Sequence, residues 1–248
     1  MDGDVDPAQF DYPSCSPDAN ALYRQARALL VESAGGTSAG ACTLAMAKMA
    51  ADDFDLETAH HLAVLAASAL VTEPVAQHAA YMLAGRAALA TDAVEAARGC
   101  FSAATKGACA YQAYEALACL ELEAGDHARA ERFLHQAWSA LPKDASPLTV
   151  ATLRQRFGEV AIERNDFDGG AKAYHFAIES LQGCVSAEGR LLAARLRTEL
   201  GDLYAACGQV ERSRQAYTQA HEYYERAGLE RRAARVLTRI DAIAEARV

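Results

Sequence analysis

The sequence is poor in the residues that build sheets and staple small folds. Aromatics make up 7% of its 248 residues, and Trp138 is the single tryptophan. A β-sandwich core needs β-branched and aromatic side chains on a pleated surface. The abundant alanine suits closely packed helices instead. The seven cysteines contain no C-x-x-C pair and no zinc spacing. Reduced thiols packed as small hydrophobes are expected, not a disulfide framework. Six prolines and the lack of a Ser/Gly-rich tract speak against a long disordered part. The longest mostly apolar run, Leu62–Val71, falls far short of the roughly 20 residues that cross a bilayer, so no membrane insertion is expected. The opening residues, Met1 to Asp6, are acidic and hold no apolar stretch of the secretory kind, which points to a cytoplasmic protein.

Chemistry-bearing motifs are also missing. No G-x-x-x-x-G-K-[ST] or G-x-G-x-x-G loop is present, so no nucleotide cofactor is indicated. H-E-x-x-H is absent, and the seven histidines are scattered, with His60-His61 the only close pair. Adjacent carboxylates such as Glu121/Glu123 and Asp52/Asp53 read as solvated helix faces. Neither metal nor cofactor is expected, and no catalytic constellation emerges. Cys119, near Glu115, is the first thiol to test for an unfamiliar reaction. The net charge is −9, and it is uneven: residues 1–110 carry 13 acids and 6 bases, residues 111–248 carry 20 and 18. With no basic stripe, phosphate attraction is missing and nucleic acid is not an expected partner.

What the chain does have is a ruler. Take Ala118 as reference. Ala130, Leu134 and Ala137 follow at twelve, sixteen and nineteen places, and Pro142 closes the stretch. Gly158 is followed at the same intervals by Gly170, Tyr174 and Ala177, and Gly201 by Ser213, Tyr217 and Ala220. Gly85 precedes Ala97, Phe101 and Ala104, and a weaker copy runs from Ala47 through Ala59, Ala63 and Ala66. Small residues belong where two helices cross closely, and large ones fill the gaps beside them. Gly125-Asp126, Asn165-Asp166 and Gly208-Gln209 fall where a helix must end and reverse. Ser146-Pro147 and Ser16-Pro17 read as a cap followed by proline in the first helical turn.

With Tyr114 and Leu117 upstream, this spacing resembles the tetratricopeptide pattern W-x2-L-G-x2-Y…A-x3-F…A…P, with Glu121 standing where the second tyrosine would be. The resemblance covers roughly residues 40–228. It implies an all-α fold: a right-handed superhelix of antiparallel helix pairs, with about five hairpins. A helix at 18–34, broken by Gly35-Gly36-Thr37-Ser38, precedes them, and a capping helix at 229–246 closes the array, with Arg232, Arg235 and Arg239 on a face away from its apolar stripe. Residues 1–16 are expected to be a flexible tail and 17–248 a single repeat domain.

The resemblance also implies that first helices line a concave groove. Projected onto this sequence, the inward positions are Lys48, then Met82 and Arg86, then Gln112 and Glu115. Gln155, Arg156 and Glu159 follow, and finally Arg195, Thr198, Glu199 and Asp202. The expected function is non-catalytic: a protein–protein interaction module, whether scaffold, adaptor or partner-specific chaperone, that binds a protein or peptide segment. A peptide-responsive regulator of bacterial signalling or secretion is the alternative. The asparagines of a carboxylate clamp are absent. Homo-oligomers remain open, through a tail bearing Phe10 and Tyr12. Trp138 reads as packing between units, with an exposed partner anchor as the other possibility.

Overall fold

The computed structural model describes residues 37–107 and 109–245, with four helical positions before them, Ala21, Arg24, Gln25 and Ala28. The expected tail, most of the 18–34 helix, the Gly35-Gly36 part of its break and Ser16-Pro17 lie outside the described residues, while Thr37 and Ser38, expected to belong to that break, instead begin a helix. Eleven helices follow in order: α1 (Thr37–Asp52), α2 (Leu56–Ala69), α3 (Pro74–Ala90), α4 (Val94–Ala104), α5 (Ala110–Glu123), α6 (His127–Ser139), α7 (Pro147–Glu163), α8 (Phe167–Ser180), α9 (Ala187–Ala206), α10 (Val210–Arg226) and α11 (Glu230–Glu245). Among the described residues there is no strand.

The chain divides into two compact units, residues 1–124 with 135–140, and residues 125–134 with 141–248. In the first, α1 packs on α2, α2 on α3, α3 on α4 and α4 on α5, and the first helices α1 and α3 also meet. In the second, neighbours pair from α7 through to α11, and α7 meets α9. Within each unit these helices touch their neighbours in sequence, as stacked helical hairpins do.

The ruler explains why these helices pair. Gly158 lies under the ring of Tyr174, and a Cβ there would sit 2.5 Å from the ring carbons and 3.3 Å from the Gly170 carbonyl oxygen. A methyl group on Gly85 would likewise run into Phe101, and one on Gly201 into Tyr217. Where the reference is Ala47, the partner sixteen places on is Ala63, and both are fully buried. Reference and partner thus trade volume, as close packing requires. The alanines nineteen places on (Ala66, Ala104, Ala137, Ala177, Ala220) are all buried to within 1%. In the last unit the small residue at the twelfth place is Ser213, whose hydroxyl donates to the Gly201 carbonyl at 2.8 Å, so its polar atom is satisfied inside the core.

The seventh place after each reference is left-handed: Phe54, Asp92 and Asn165 at φ 61°, Gly125 at 77° and Gly208 at 71°. One such residue ends the first helix and turns the chain back. The next amide closes the turn onto the first helix, as Asp166 N–H does to Ala161 O at 2.8 Å and Gln209 N–H to Tyr204 O at 2.8 Å. Asp55, Asp126 and Asp166 then cap the second helices by accepting from the N–H three residues on. Ser146, followed by Pro147, caps α7 as its sequence suggests.

Two expectations need correction. Glu121 is not on a solvated face. It is 1% exposed and ion-paired with Arg98 of α4, so the acid at the usual tyrosine place is a buried charge held by its partner. The cysteines are not uniformly buried either: Cys100 is buried, Cys109, Cys119 and Cys184 are half-buried, and Cys42 and Cys207 are exposed.

Candidate functional site: a first-helix cleft

In the second unit the inward positions of α9 form a stripe. Arg195, Thr198, Glu199 and Asp202 recur at i, i+3, i+4 and i+7, which places them on one side of a helix. α9 is set in place by its cap, the Ser186 hydroxyl accepting from Gly189 N–H at 3.1 Å, and by Gly201 beneath Tyr217. α11 presents Arg232, Arg235, Val236 and Arg239 at the same intervals, and the two stripes face each other across a cleft of about 320 Å3, with the buried Tyr224 between them.

The charges are organised. Arg239 Nη1 pairs with Asp202 Oδ2 at 3.0 Å, while Asp202 Oδ1 accepts from the Tyr217 hydroxyl at 2.7 Å. Arg195 Nη2 lies 3.9 Å from Glu199 Oε1. Burial pushes the Glu199 carboxyl above its ordinary range, with Glu159 and Asp202 adding to the shift, while Arg195 and the Tyr174 hydroxyl pull it back. Burial and that carboxylate together hold the Tyr174 phenol well above its ordinary value. On α7, Glu159 accepts from Arg156 Nη1 at 2.9 Å and from Gln155 Nε2 at 3.0 Å. Arg232 and Arg235 are exposed and have no ion pair among the described residues. The cleft therefore carries two guanidinium groups without an ion pair, a donor type suited to carboxylate and carbonyl oxygens.

Not every projected position reaches the surface. Lys48 on α1 and Arg86 on α3 are exposed, but Met82 is 5% and Gln155 4% exposed, so these two belong to the core. Both lie three residues before their reference, the place that Glu115 and Thr198 hold half-buried in other units. On α5, Glu115 is half-buried. Gln112 is committed within its unit, with Nε2 donating to the Tyr111 hydroxyl at 3.2 Å and Oε1 lying 3.3 Å from His78 Nε2. The arginines of α11 were missed as cleft residues because they read as the polar side of a cap. Their i, i+3, i+7 spacing, which repeats that of Arg195, Thr198 and Asp202, is the signal that finds them.

His60 and His61 come together, with ring centroids 5.3 Å apart and His60 Nδ1 2.9 Å from Ala84 O. Burial and the neighbouring His60 lower the pKa of His61. Among the described residues no three His, Cys, Asp or Glu side chains are placed to share a metal, and no helix is long and apolar enough to cross a membrane.

No family model matches the sequence, and no curated protein is similar to it. Solved structures are similar in fold. BtubC (BKLC) from P. vanneervenii aligns with a TM-score of 0.68 and 16% identity over 86% of this chain and 90% of that one. A signal transduction ATPase with numerous domains from Pyrococcus horikoshii, described as carrying a tetratricopeptide repeat sensor, aligns at 0.69 and 14% identity, covering 90% of this chain and 35% of that one. A chain of the APC/C hetero-tetramer Cut9-Hcn1 aligns at 0.58 and 15% identity, covering 92% and 44%. The small-residue ruler, the left-handed turn seven places after each reference and these neighbours agree: the chain is an all-α helical repeat protein of tetratricopeptide-like fold.

Proposed function

We propose that the protein is a non-catalytic interaction module that holds a segment of another protein against the first-helix stripes of α7, α9 and α11. The observation that carries this reading is the facing of two equally spaced stripes, on α9 and α11, with the Arg232 and Arg235 guanidinium groups left for an incoming chain. Opposed stripes with a residue every turn suit an extended or helical segment running along the cleft, because such a ligand repeats its contacts at similar intervals. The mixture of cations with Glu159, Glu199 and Asp202 gives register as well as attraction.

The experiment is capture of partners from the source cells, followed by hydrogen exchange on the complex. Slowed exchange in α7, α9 and α11, together with loss of capture by the Arg156→Glu/Arg195→Glu double variant, supports the reading. A bound partner that leaves exchange in all first helices unchanged removes it. If binding also changes the solution scattering profile, the module is a peptide-responsive regulator and not a static adaptor.

A further inference from the structure

The other side of α9 carries a second cleft. Residues two apart on a helix point about 200° away from each other, so Arg197 lies opposite Arg195. Arg197 reaches into a cleft of about 490 Å3 between α8 and α10, floored by Leu200 and Ile178. Its guanidinium is half-buried, with Nε donating to Gln219 Oε1 at 3.1 Å and Nη1 to the Ala193 carbonyl at 3.1 Å. Those two acceptors are neutral, and no carboxylate pairs with Arg197 among the described residues. A partly desolvated cation without a counter-charge is costly to keep unless an anion completes it; burial lowers the pKa of this guanidinium accordingly.

The walls add to the positive character. Lys172 lines the α8 side and Arg212 the α10 side, and neither has an ion pair among the described residues. Asp168 is the only acid lining the cleft. Tyr204 is fixed between the walls: its hydroxyl lies 2.7 Å from His175 Nε2, and the Arg212 guanidinium sits 5.8 Å from its ring centroid. This basic cleft stands out on a chain of net charge −9. Its cations sit on three different helices with apolar surface between them, which does not match a single phosphate, whose donors converge on one point. It matches a chain that alternates acidic and apolar side chains.

We infer that this second cleft docks an acidic peptide segment of a partner protein: a carboxylate seats on Arg197, further acids meet Lys172 and Arg212, and an apolar side chain covers Ile178 and Leu200. The inference stands without the first-helix reading, and the two sites occupy opposite faces of one helix.

The test uses the full-length chain and a fluorescein-labelled nonapeptide, (Glu-Glu-Leu)3, read by anisotropy. Binding that weakens with salt and falls about tenfold or more in Arg197→Gln and in Lys172→Glu is expected, because each removes a charge-assisted contact. Lys172 is exposed, so its variant keeps the test decisive if Arg197→Gln misfolds. Arg195→Glu, on the opposite face, is expected to leave the peptide affinity within about twofold, which separates failure here from failure of the first-helix site. Absence of binding, equal binding of (Gln-Gln-Leu)3, equal affinity in the Lys172→Glu variant, or displacement of the peptide by inorganic phosphate at matched ionic strength would each overturn the assignment.

Discussion

Replacing Gly158 by alanine sets two effects of opposite sign against each other. Helix propensity alone favours the change by about 1 kcal/mol, since glycine in a helix interior is that much worse than alanine. Packing opposes it. The new methyl would lie 2.5 Å from two ring carbons of Tyr174, where ordinary carbon contacts begin at about 3.5 Å, so the ring must retreat by roughly 1 Å. It has little room to do so. Tyr174 is 4% exposed and belongs to a cluster with Ala151, Ala171 and Leu196. Over-packing a site this tight belongs to the upper part of the usual range, about 2–3 kcal/mol. A net loss of about 1–2 kcal/mol is therefore expected. The control is Tyr174→Leu, which gives this unit the large residue that stands sixteen places after Ala118 in another. In that background the ring is gone, and Gly158→Ala should become neutral or stabilising. The pair should couple by about 2–3 kcal/mol. Helical arrays can unfold in steps, so the measurement is the opening free energy of α7 and α8 amides by native-state hydrogen exchange. If Gly158→Ala stabilises equally with and without the tyrosine ring, the small-residue crossing is not what joins these helices.

Three further outcomes follow from single features. Phe54 is left-handed and 86% exposed; Phe54→Gly should raise stability by about 1 kcal/mol through relief of that conformation, measured by thermal unfolding, whereas Gly208→Ala at the equivalent place should lower it. Arg98→Ala strands the buried Glu121 carboxylate and should cost about 3–5 kcal/mol, while Arg98→Met/Glu121→Met should recover most of the loss; urea titrations of the single and double variants decide. Glu199 has a raised carboxyl pKa in the folded chain, chiefly by burial, so above the unfolded value of about 4 the native state holds more protons than the unfolded state, and stability falls as pH rises through the folded value. Glu199→Gln should remove that contribution, giving a flatter stability curve above about pH 4 than the native chain; identical curves would place the carboxylate in water.

The repeat was legible because it depends on small residues at fixed intervals, and Gly85, Gly158 and Gly201 leave room that only an aromatic ring fills. Left-handed turns were legible at Gly125, Asn165 and Gly208, where residue type announces them. They were hidden at Phe54 and Asp92, where the frame imposes a conformation the side chain does not favour. Glu121 was hidden for another reason: a buried charge looks like a solvated one until its partner is placed, and Arg98 belongs to the preceding helix. Of the projected positions, Arg195, Thr198, Glu199 and Asp202 line one cleft, whereas Met82 and Gln155 are buried, a difference between rim and core that a single helix pattern does not show. The cleft at Arg197 was not legible at all, because its walls come from separate helices and no local pattern links Lys172 to Arg212.

That last point bears on why α9 differs from other first helices. It is 20 residues long, the longest helix described, and its buried stripe of Leu192, Leu196, Leu200 and Leu203 is narrow enough to leave charged positions on both flanks. On one flank Glu199 and Asp202 sit beside Arg195 and Arg239, so a ligand proposed for that face would be placed by register. On the other Arg197 lacks a counter-ion, so a ligand proposed there would be chosen by charge. A ligand bound on either side would order the same helix and, through the hydrogen bond from the Tyr217 hydroxyl to Asp202, the second helix α10 that packs on it. Occupancy of one face should therefore tighten the other if the helix is the shared element that both must order. Two ligands whose affinities are unaffected by each other would show instead that α9 is already rigid without them.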